Sequence, residues 1–163
     1  MSAQSLEEKL TTSALRFLSF RARSQKELED FLLRKLKFYS PIISNSSNLI
    51  EKIIEGLKRS GLVDDLSFAK NWVDSRIRIH AKSLTVIRQE LFQKGINKDI
   101  IEEVLSKIDS SFEESKAVML VNKKLKTFSG LELEKRQKKL IGFLVRRGFG
   151  WDLSRRVVEN LTK

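Results

Sequence analysis

The stretch Ala69-Lys70-Asn71-Trp72-Val73-Asp74-Ser75-Arg76 decides the fold, because it is the second of three copies of one pattern in this 163-residue chain. Each copy has an alanine, two adjacent apolar residues one helical turn later, and a base one turn beyond them. The other two copies run from Ala14 to Arg21 and from Ala117 to Lys124. A pattern that recurs along a chain predicts several small units packed in a row rather than one large core.

The apolar positions behind the three copies also repeat at constant offsets. From the second copy to the third, six pairs lie 53 residues apart, among them Ile87 with Leu140. Between the first and second repeats the offset is 59 as far as Lys35 and 51 from Leu49 onward. The first repeat therefore carries eight extra residues, which fall within 37–47. That segment holds the only proline and a serine and asparagine cluster, so we predict a surface loop there. The predicted repeats are 1–61, 62–109 and 110–163, the last of them basic.

The hydrophobic residues recur at steps of three and four, which is typical of helices. We therefore predict an all-α protein of three tandem three-helix repeats, helix-turn-helix-like units stacked into an elongated molecule. The nine predicted helices cover 6–22, 24–37, 48–59, 65–79, 83–94, 97–107, 111–126, 131–147 and 151–161. In a capping box, the side chain of each of two residues accepts a hydrogen bond from the backbone N–H of the other. Capping boxes are predicted at Ser24–Glu27, Asn48–Glu51, Ser110–Glu113 and Ser129–Glu132. Left-handed C-caps are predicted at Gly61, Gly95 and Gly148.

Several classes of function find little support in the composition. The chain has no cysteine, which excludes disulfides and thiolate metal sites and favours a reducing compartment. Its single histidine, His80, and the lack of a phosphate loop or nucleophile elbow argue against an enzyme or a cofactor. Asp64 and Asp65 open a predicted helix, so N-capping explains them without a metal ion. The first ten residues are polar and no apolar run is long enough for a membrane span, so we expect a cytoplasmic protein without a membrane partner.

The charge gives the first indication of function. The net charge of +11 is typical of a protein that binds a polyanion, and it is uneven: +4 over residues 1–63, 0 over 64–111 and +7 over 112–163. On the helix predicted at 131–147, a basic row lies opposite Leu133, Leu140 and Leu144, with Gly142 inside the row. The predicted contact residues on this helix and the next are Lys135, Lys138, Lys139, Arg146, Arg155 and Arg156.

Other readings of these residues stay open. The basic row also fits a solvated face, and Gly142 fits either close approach of a phosphate or relief of packing. Trp151 starts its helix, where it either packs or stacks on a base or partner. The recurring bases Arg21, Arg76 and Lys124 fit a structural role better, because a base in the last turn of a helix complements the helix dipole and reaches a neighbouring acid.

Residues 91–100 also resemble the helix-turn-helix of a DNA reader. The would-be recognition helix carries Asp99, Glu102 and Glu103, which would repel phosphates, so major-groove reading there is disfavoured. The matching helix of the third repeat carries arginines instead, which favours sequence-independent contact with single- or double-stranded DNA. A basic helix-turn-helix-like transcription regulator and a scaffold that binds only protein remain alternatives.

Several short runs together resemble the RecX family, bacterial regulators of the RecA recombinase. The resemblance spans nearly the whole chain and is most specific over 61–96. It rests on Ala14-Leu15, Arg21-Ala22-Arg23-Ser24, Glu27-Leu28, Gly61-Leu62-Val63-Asp64-Asp65, Phe68-Ala69, Trp72-Val73, Glu90-Leu91, Lys94-Gly95-Ile96 and Arg146-Arg147-Gly148-Phe149.

The resemblance implies a curved protein that lies in the groove of the RecA nucleoprotein filament and lowers ATP hydrolysis, strand exchange and coprotease activity. The implied setting is DNA recombination, repair and the SOS response. An open-ended array with charged ends further favours a monomer.

Overall fold

In a computed structural model, which describes residues 3–39, 46–80, 82–109 and 111–163, the chain consists of helices joined by turns. No strand occurs within those ranges. The α-helices are α1 (Ala3–Ser19), α2 (Gln25–Tyr39), α3 (Ser46–Arg59), α4 (Asp65–Ser75), α5 (Leu84–Gln93), α6 (Lys98–Leu105), α7 (Phe112–Leu125), α8 (Leu133–Val145) and α9 (Trp151–Leu161). A π-helical turn, Arg76–His80, continues α4, and a 3-10 turn, Lys126–Phe128, follows α7. The predicted all-α class is confirmed.

Two of the predicted helix starts are wrong. Asn48 does not cap α3, because the helix already begins at Ser46. Ser129 does not cap α8 either; its hydroxyl donates to the carbonyl of Lys126, and Glu132 holds the capping position without a side-chain hydrogen bond. In both places the polar residue satisfies the sequence pattern, but the helix starts two residues before it, for α3, or four residues after it, for α8.

The predicted loop at 37–47 is also too long at both ends. Residues 37–39 form the last turn of α2, and 46–47 form the first turn of α3. The rest of the loop, including its proline, lies outside the described residues, as does Ser110 of the third predicted capping box. The box at Ser24 is confirmed: the Ser24 hydroxyl accepts from the N–H of Glu27 at 3.2 Å, and the Glu27 carboxylate accepts from the N–H of Ser24 at 3.4 Å.

The chain forms two compact units. The first comprises Met1–Asn71 with Leu91–Ile100, and the second comprises Trp72–Glu90 with Ile101–Lys163. Both draw on residues of the predicted second repeat, so the repeat borders at 61/62 and 109/110 stay a prediction. Among the described residues, no helix is both long and apolar enough to cross a membrane.

Each unit has a core of aliphatic side chains at helical spacing. In the first unit Leu10, Leu28 and Leu32 are fully buried and pack with the apolar face of α3. In the second unit Leu140 and Leu144 of α8 pack against α7 and α9. Burying one such side chain contributes about 1.5–3 kcal/mol, so these stripes hold the polar faces of α2 and α8 outward.

The start of α2 is bound to the segment Leu91–Ile100 within the first unit. The hydroxyl of Ser24 donates to the carbonyl of Lys94 at 2.6 Å, and the N–H of Gln25 donates to Asp65 at 2.8 Å. Lys94 Nζ lies 2.6 Å from Glu27, which also accepts two hydrogen bonds from Arg21. Burial opposes ionisation of Glu27, but the hydrogen bonds from Arg21 and Lys94 outweigh it and lower its pKa to about 2.

The second unit makes corresponding contacts with the aligned residues, but there the donor to the carbonyl is the backbone N–H of the serine and not its hydroxyl. The N–H of Ser83 donates to the carbonyl of Arg147 at 3.4 Å, and the N–H of Leu84 donates to Glu113 at 2.8 Å. Ser83 and Leu84 are the residues that the offset of 59 aligns with Ser24 and Gln25. The periodicity of the sequence therefore corresponds to a repeated set of contacts between helix ends.

Glycine is required where these helix ends meet. Gly61, Gly95 and Gly148 all have positive φ, at 69°, 75° and 88°, which confirms the three predicted left-handed C-caps. At Gly95 an added Cβ would lie 2.4 Å from Lys26, and at Gly148 it would lie 2.2 Å from Val86. Nothing lies within 4 Å of such a Cβ at Gly61. Gly95 and Gly148 are therefore required for close packing as well as for positive φ, whereas Gly61 is required for positive φ alone.

Candidate functional site

The predicted basic row lies on the exposed side of α8. Lys135, Lys139, Gly142 and Arg146 follow one another at steps of four, three and four, so they share one side of the helix. Leu140 and Leu144 are fully buried on the other side, as predicted. Lys138 is also exposed, beside Lys139. We call Lys135, Lys138, Lys139 and Arg146 the α8 row.

Leu133 does not belong to the buried side. It was predicted to point inward with Leu140 and Leu144, but its side chain is 48% exposed. The helix begins at Leu133 rather than at 131, so this residue lies at the outer end of α8, beyond the reach of the core.

Most of the α8 row has no acidic partner. Lys135 pairs with Glu132 at 2.9 Å, and Lys139 Nζ lies 5.7 Å from the centroid of the Phe128 ring. In the described part of the chain, Lys138, Lys139 and Arg146 have no carboxylate at ion-pairing distance. Three cations that face solvent without neutralisation produce a positive potential along the helix.

The space above Gly142 is next to the Arg146 side chain. A Cβ added to Gly142 would lie 3.3 Å from Nη1 of Arg146, and no other heavy atom outside the backbone of this helix lies within 4 Å. Since the guanidinium is the far end of a flexible side chain, it can move aside. The glycine therefore leaves room for this guanidinium to lie close to the helix backbone.

The arginines of α9 differ from the α8 row because each has an acidic partner. Arg155 pairs with Glu159 at 2.7 Å, and this hydrogen bond raises the pKa of the arginine. Arg156 lies 3.5 Å from Glu114 on α7. Both pairs are exposed and screened by solvent, so a polyanion can displace them. The spacing of Arg155 and Glu159 at i and i+4 is visible in the sequence, whereas the pairing of Arg156 with Glu114 on another helix is not.

Trp151 is exposed, as its place at the start of α9 suggested. Its side chain is 60% exposed, whereas the preceding aromatic residue, Phe149, is buried. Ile96, which occupies the equivalent place before α6, is buried as well. Phe149 and Ile96 therefore serve the core, while the indole ring of Trp151 is available to a ligand.

The recurring bases make structural contacts. Arg21 pairs with Glu27, Arg76 Nε donates to Glu90 at 2.6 Å, and Lys124 Nζ lies 5.8 Å from the ring of Phe143. These contacts agree with the structural role predicted for them.

Glu90 is the centre of a network that sequence inspection missed. Its carboxylate also accepts hydrogen bonds from Trp72 and Lys82, in addition to Arg76. Burial opposes ionisation of Glu90, and the hydrogen bonds from its three donors overcome this and lower its pKa. The repeat offsets of 59 and 53 align Glu90 with Phe31 and Phe143. An acid at a position that is aromatic in the other two repeats is the signal that the sequence offers.

The acidic residues at the start of α4 and on α6 make contacts within the protein. Asp64 accepts hydrogen bonds from the N–H groups of Leu66 and Ser67, as a helix N-cap does, whereas Asp65 accepts from Gln25. On α6, Glu102 pairs with Arg88 while remaining exposed. In the described ranges, no group of three or more His, Cys, Asp or Glu residues is placed to hold a metal ion.

Comparison with known proteins gives consistent matches along the chain. The family model for the second three-helix domain of RecX matches residues 64–105, and the model for the third matches 113–158. A Regulatory protein RecX of Mycobacterium avium strain 104 is 36% identical over 159 residues, covering 96% of this chain and 87% of that protein. Another, from Chlorobium phaeobacteroides strain BS1, is 43% identical over 136 residues, covering 83% and 82%. The crystal structure of RecX from Lactobacillus salivarius superposes with a TM-score of 0.79 at 28% identity, covering 97% of each chain.

The all-α fold and these matches together identify a regulatory protein that contains three-helix domains. The chain belongs to the RecX family.

Proposed function

We propose that this protein binds the RecA nucleoprotein filament in its groove and inhibits the recombinase, ATPase and coprotease activities of RecA. The observation that carries the proposal is the α8 row, in which three exposed cations have no carboxylate partner among the described residues. A filament wrapped around DNA offers phosphates and acidic protein surface to such a row. Family membership supports RecA as the partner.

The test of the inhibition is ATP hydrolysis by RecA on single-stranded DNA, with this protein titrated from far below one molecule per RecA. We expect hydrolysis to fall at substoichiometric ratios, because one bound molecule blocks the addition or retention of further subunits. Unchanged or stimulated hydrolysis at equimolar protein would contradict the proposal.

The test of the surface is the triple variant Lys135→Glu, Lys139→Glu, Arg146→Glu. All three side chains are exposed, so we expect helicity and the melting temperature to stay near those of the wild type while binding to RecA-coated single strands weakens at least tenfold. The matched control is Lys70→Glu, Lys98→Glu, Lys163→Glu, which changes the net charge equally at exposed positions elsewhere. If both variants weakened binding equally, the effect of the α8 row would come from the net charge of the protein and not from a specific contact surface.

A further measurement separates this proposal from a transcription regulator. Phosphate contacts make DNA affinity fall steeply with salt and depend little on sequence. We expect similar affinities for unrelated duplexes of equal length. Strong preference for one duplex site would favour the transcription regulator, and no retardation of any DNA at low salt would favour a scaffold that binds only protein.

A further inference from the structure

A second basic surface lies in the first unit, on α2. Phe31, Arg34, Lys35 and Phe38 are spaced at i, i+3, i+4 and i+7, so they share one side of the helix. The four side chains line an open groove of about 280 Å³. We call them the α2 face. None of them belongs to the α8 row.

The cations of the α2 face are available to a ligand. In the described part of the chain, neither Arg34 nor Lys35 has a carboxylate at ion-pairing distance. Three acids lie earlier on the same helix: Glu27 is bound by Arg21 and Lys94, and Asp30 lies 3.3 Å from Lys26. The third, Glu29, lines a different groove with Leu33 and Ile54. The face therefore presents positive charge that the protein itself does not neutralise.

The rings of the α2 face differ in what holds them. Phe31 stacks in parallel on Phe17 with ring centroids 4.1 Å apart, and the guanidinium of Arg23 lies 4.0 Å from the centroid of Phe17. Phe31 is thus fixed in a layered stack. The ring of Phe38 is 81% exposed and touches Tyr39 edge-on, with centroids 5.6 Å apart. It has an open face at the end of the helix.

We propose that the α2 face binds single-stranded nucleic acid, with Arg34 and Lys35 on the phosphates and Phe38 stacked on a base. Two adjacent cations beside the exposed ring of Phe38 match a chain in which charged phosphates alternate with flat π surfaces, and this combination is how proteins bind single strands without sequence preference. In a duplex the bases are already stacked on one another, so only the cations would contribute. The inference does not depend on RecA.

The test uses the full chain alone with a fluorescent oligothymidylate of about 16 nucleotides, followed by anisotropy. Stacking on one aromatic ring contributes about 1–3 kcal/mol per base, so we expect Phe38→Ala to weaken single-strand binding by about 5- to 150-fold. A duplex of equal length should bind Phe38→Ala within about twofold of the wild type. The matched control is Phe92→Ala, which removes another exposed phenyl ring, on α5, and should leave both affinities unchanged.

The cations are tested through salt dependence. Each phosphate contact to a single strand contributes about 0.7 to the slope of log affinity against log salt, so we expect Arg34→Gln with Lys35→Gln to lower the slope by about 1.4. Because the α8 row is also expected to bind DNA, Phe38→Ala is repeated in the chain carrying the triple α8 reversal, where the loss should persist.

Three results on bare nucleic acid would overturn the inference. They are an unchanged single-strand affinity in Phe38→Ala, an equal loss in Phe92→Ala, and an equal loss on the duplex. Weakened binding of the Arg34 and Lys35 variant to RecA-coated strands, with bare single strands bound normally, would assign the face to a protein partner and also overturn it. None of these results bears on the ATPase test, so this inference and the proposed function can fail separately.

Discussion

Replacement of Gly148 by alanine should destabilise the protein through two separable effects. The residue has φ of 88°, and its N–H donates to the carbonyl of Val145 in the last turn of α8. A left-handed conformation costs an alanine about 1–2 kcal/mol. The new Cβ would also lie 2.2 Å from Val86 and 2.5 Å from the hydroxyl of Ser83, and overpacking of this kind costs about 1–3 kcal/mol. Because alanine also lowers the entropy of the unfolded chain, which offsets about 0.4–1 kcal/mol, the expected net loss is about 1.5–4 kcal/mol.

The matched control is Gly61→Ala, which has the same backbone strain without the crowding. Gly61 has φ of 69° and ends α3 with the same pair of backbone hydrogen bonds, but a Cβ there meets nothing within 4 Å. Its expected loss is about 1 kcal/mol, since alanine also lowers the entropy of the unfolded chain.

Urea unfolding followed by circular dichroism measures both variants against the wild type. With a slope of about 2 kcal/mol per molar urea, the midpoint should fall by about 0.8–2 M for Gly148→Ala and by about 0.5 M for Gly61→Ala. Equal shifts in the two variants would refute the reasoning, because backbone strain alone would then account for Gly148.

The other predictions concern charges in the first unit and the helix of the α8 row. Glu27→Gln should cost about 1–2 kcal/mol at pH 7, because the lowering of its pKa from 4.5 to about 2 corresponds to at most roughly 3 kcal/mol and solvent screening of this partly exposed group reduces that value. In the wild type this contribution is complete above pH 4.5 and should disappear as the pH falls through about 2, which urea midpoints measured across that range will show. Asp65→Asn should change the urea midpoint little, because burial raises the pKa of Asp65 and an amide oxygen can still accept its backbone hydrogen bond; a large loss would mean that the charge itself is needed. Gly142→Ala should raise the melting temperature, since alanine favours the helix interior by about 1 kcal/mol, and a lower melting temperature would show that the position needs glycine for packing.

The elements could be predicted from the sequence because their signals are local. The helical spacing of Leu28 and Leu32, and the glycine that ends α5 or α8, act over one or two turns of chain. The errors occurred where a local signal was ambiguous. Ser129 satisfies the capping pattern, but its hydroxyl turns back to Lys126, and Leu133 has the right residue type for the core but lies at the outer end of its helix.

The functional surfaces were predictable only in part. The α8 row follows from spacing and regional charge, and the spacing of the α2 face is equally visible in the sequence. What the sequence does not contain is which cations are already neutralised: Arg156 meets Glu114 across two helices, whereas Arg146 meets no acid among the described residues.

The sequence by itself determined the helical class, the threefold period, the left-handed glycines and the excess of positive charge, because each depends on residue type and on neighbours a few positions away. Only the tertiary structure decided that Glu27 pairs with Lys94, 67 residues along the chain, and that a Cβ at Gly148 would meet Val86 while a Cβ at Gly61 would meet nothing within 4 Å. Those contacts depend on how helix ends meet in space. Close packing and ion pairing act over a few ångströms, and separation along the chain does not report that distance.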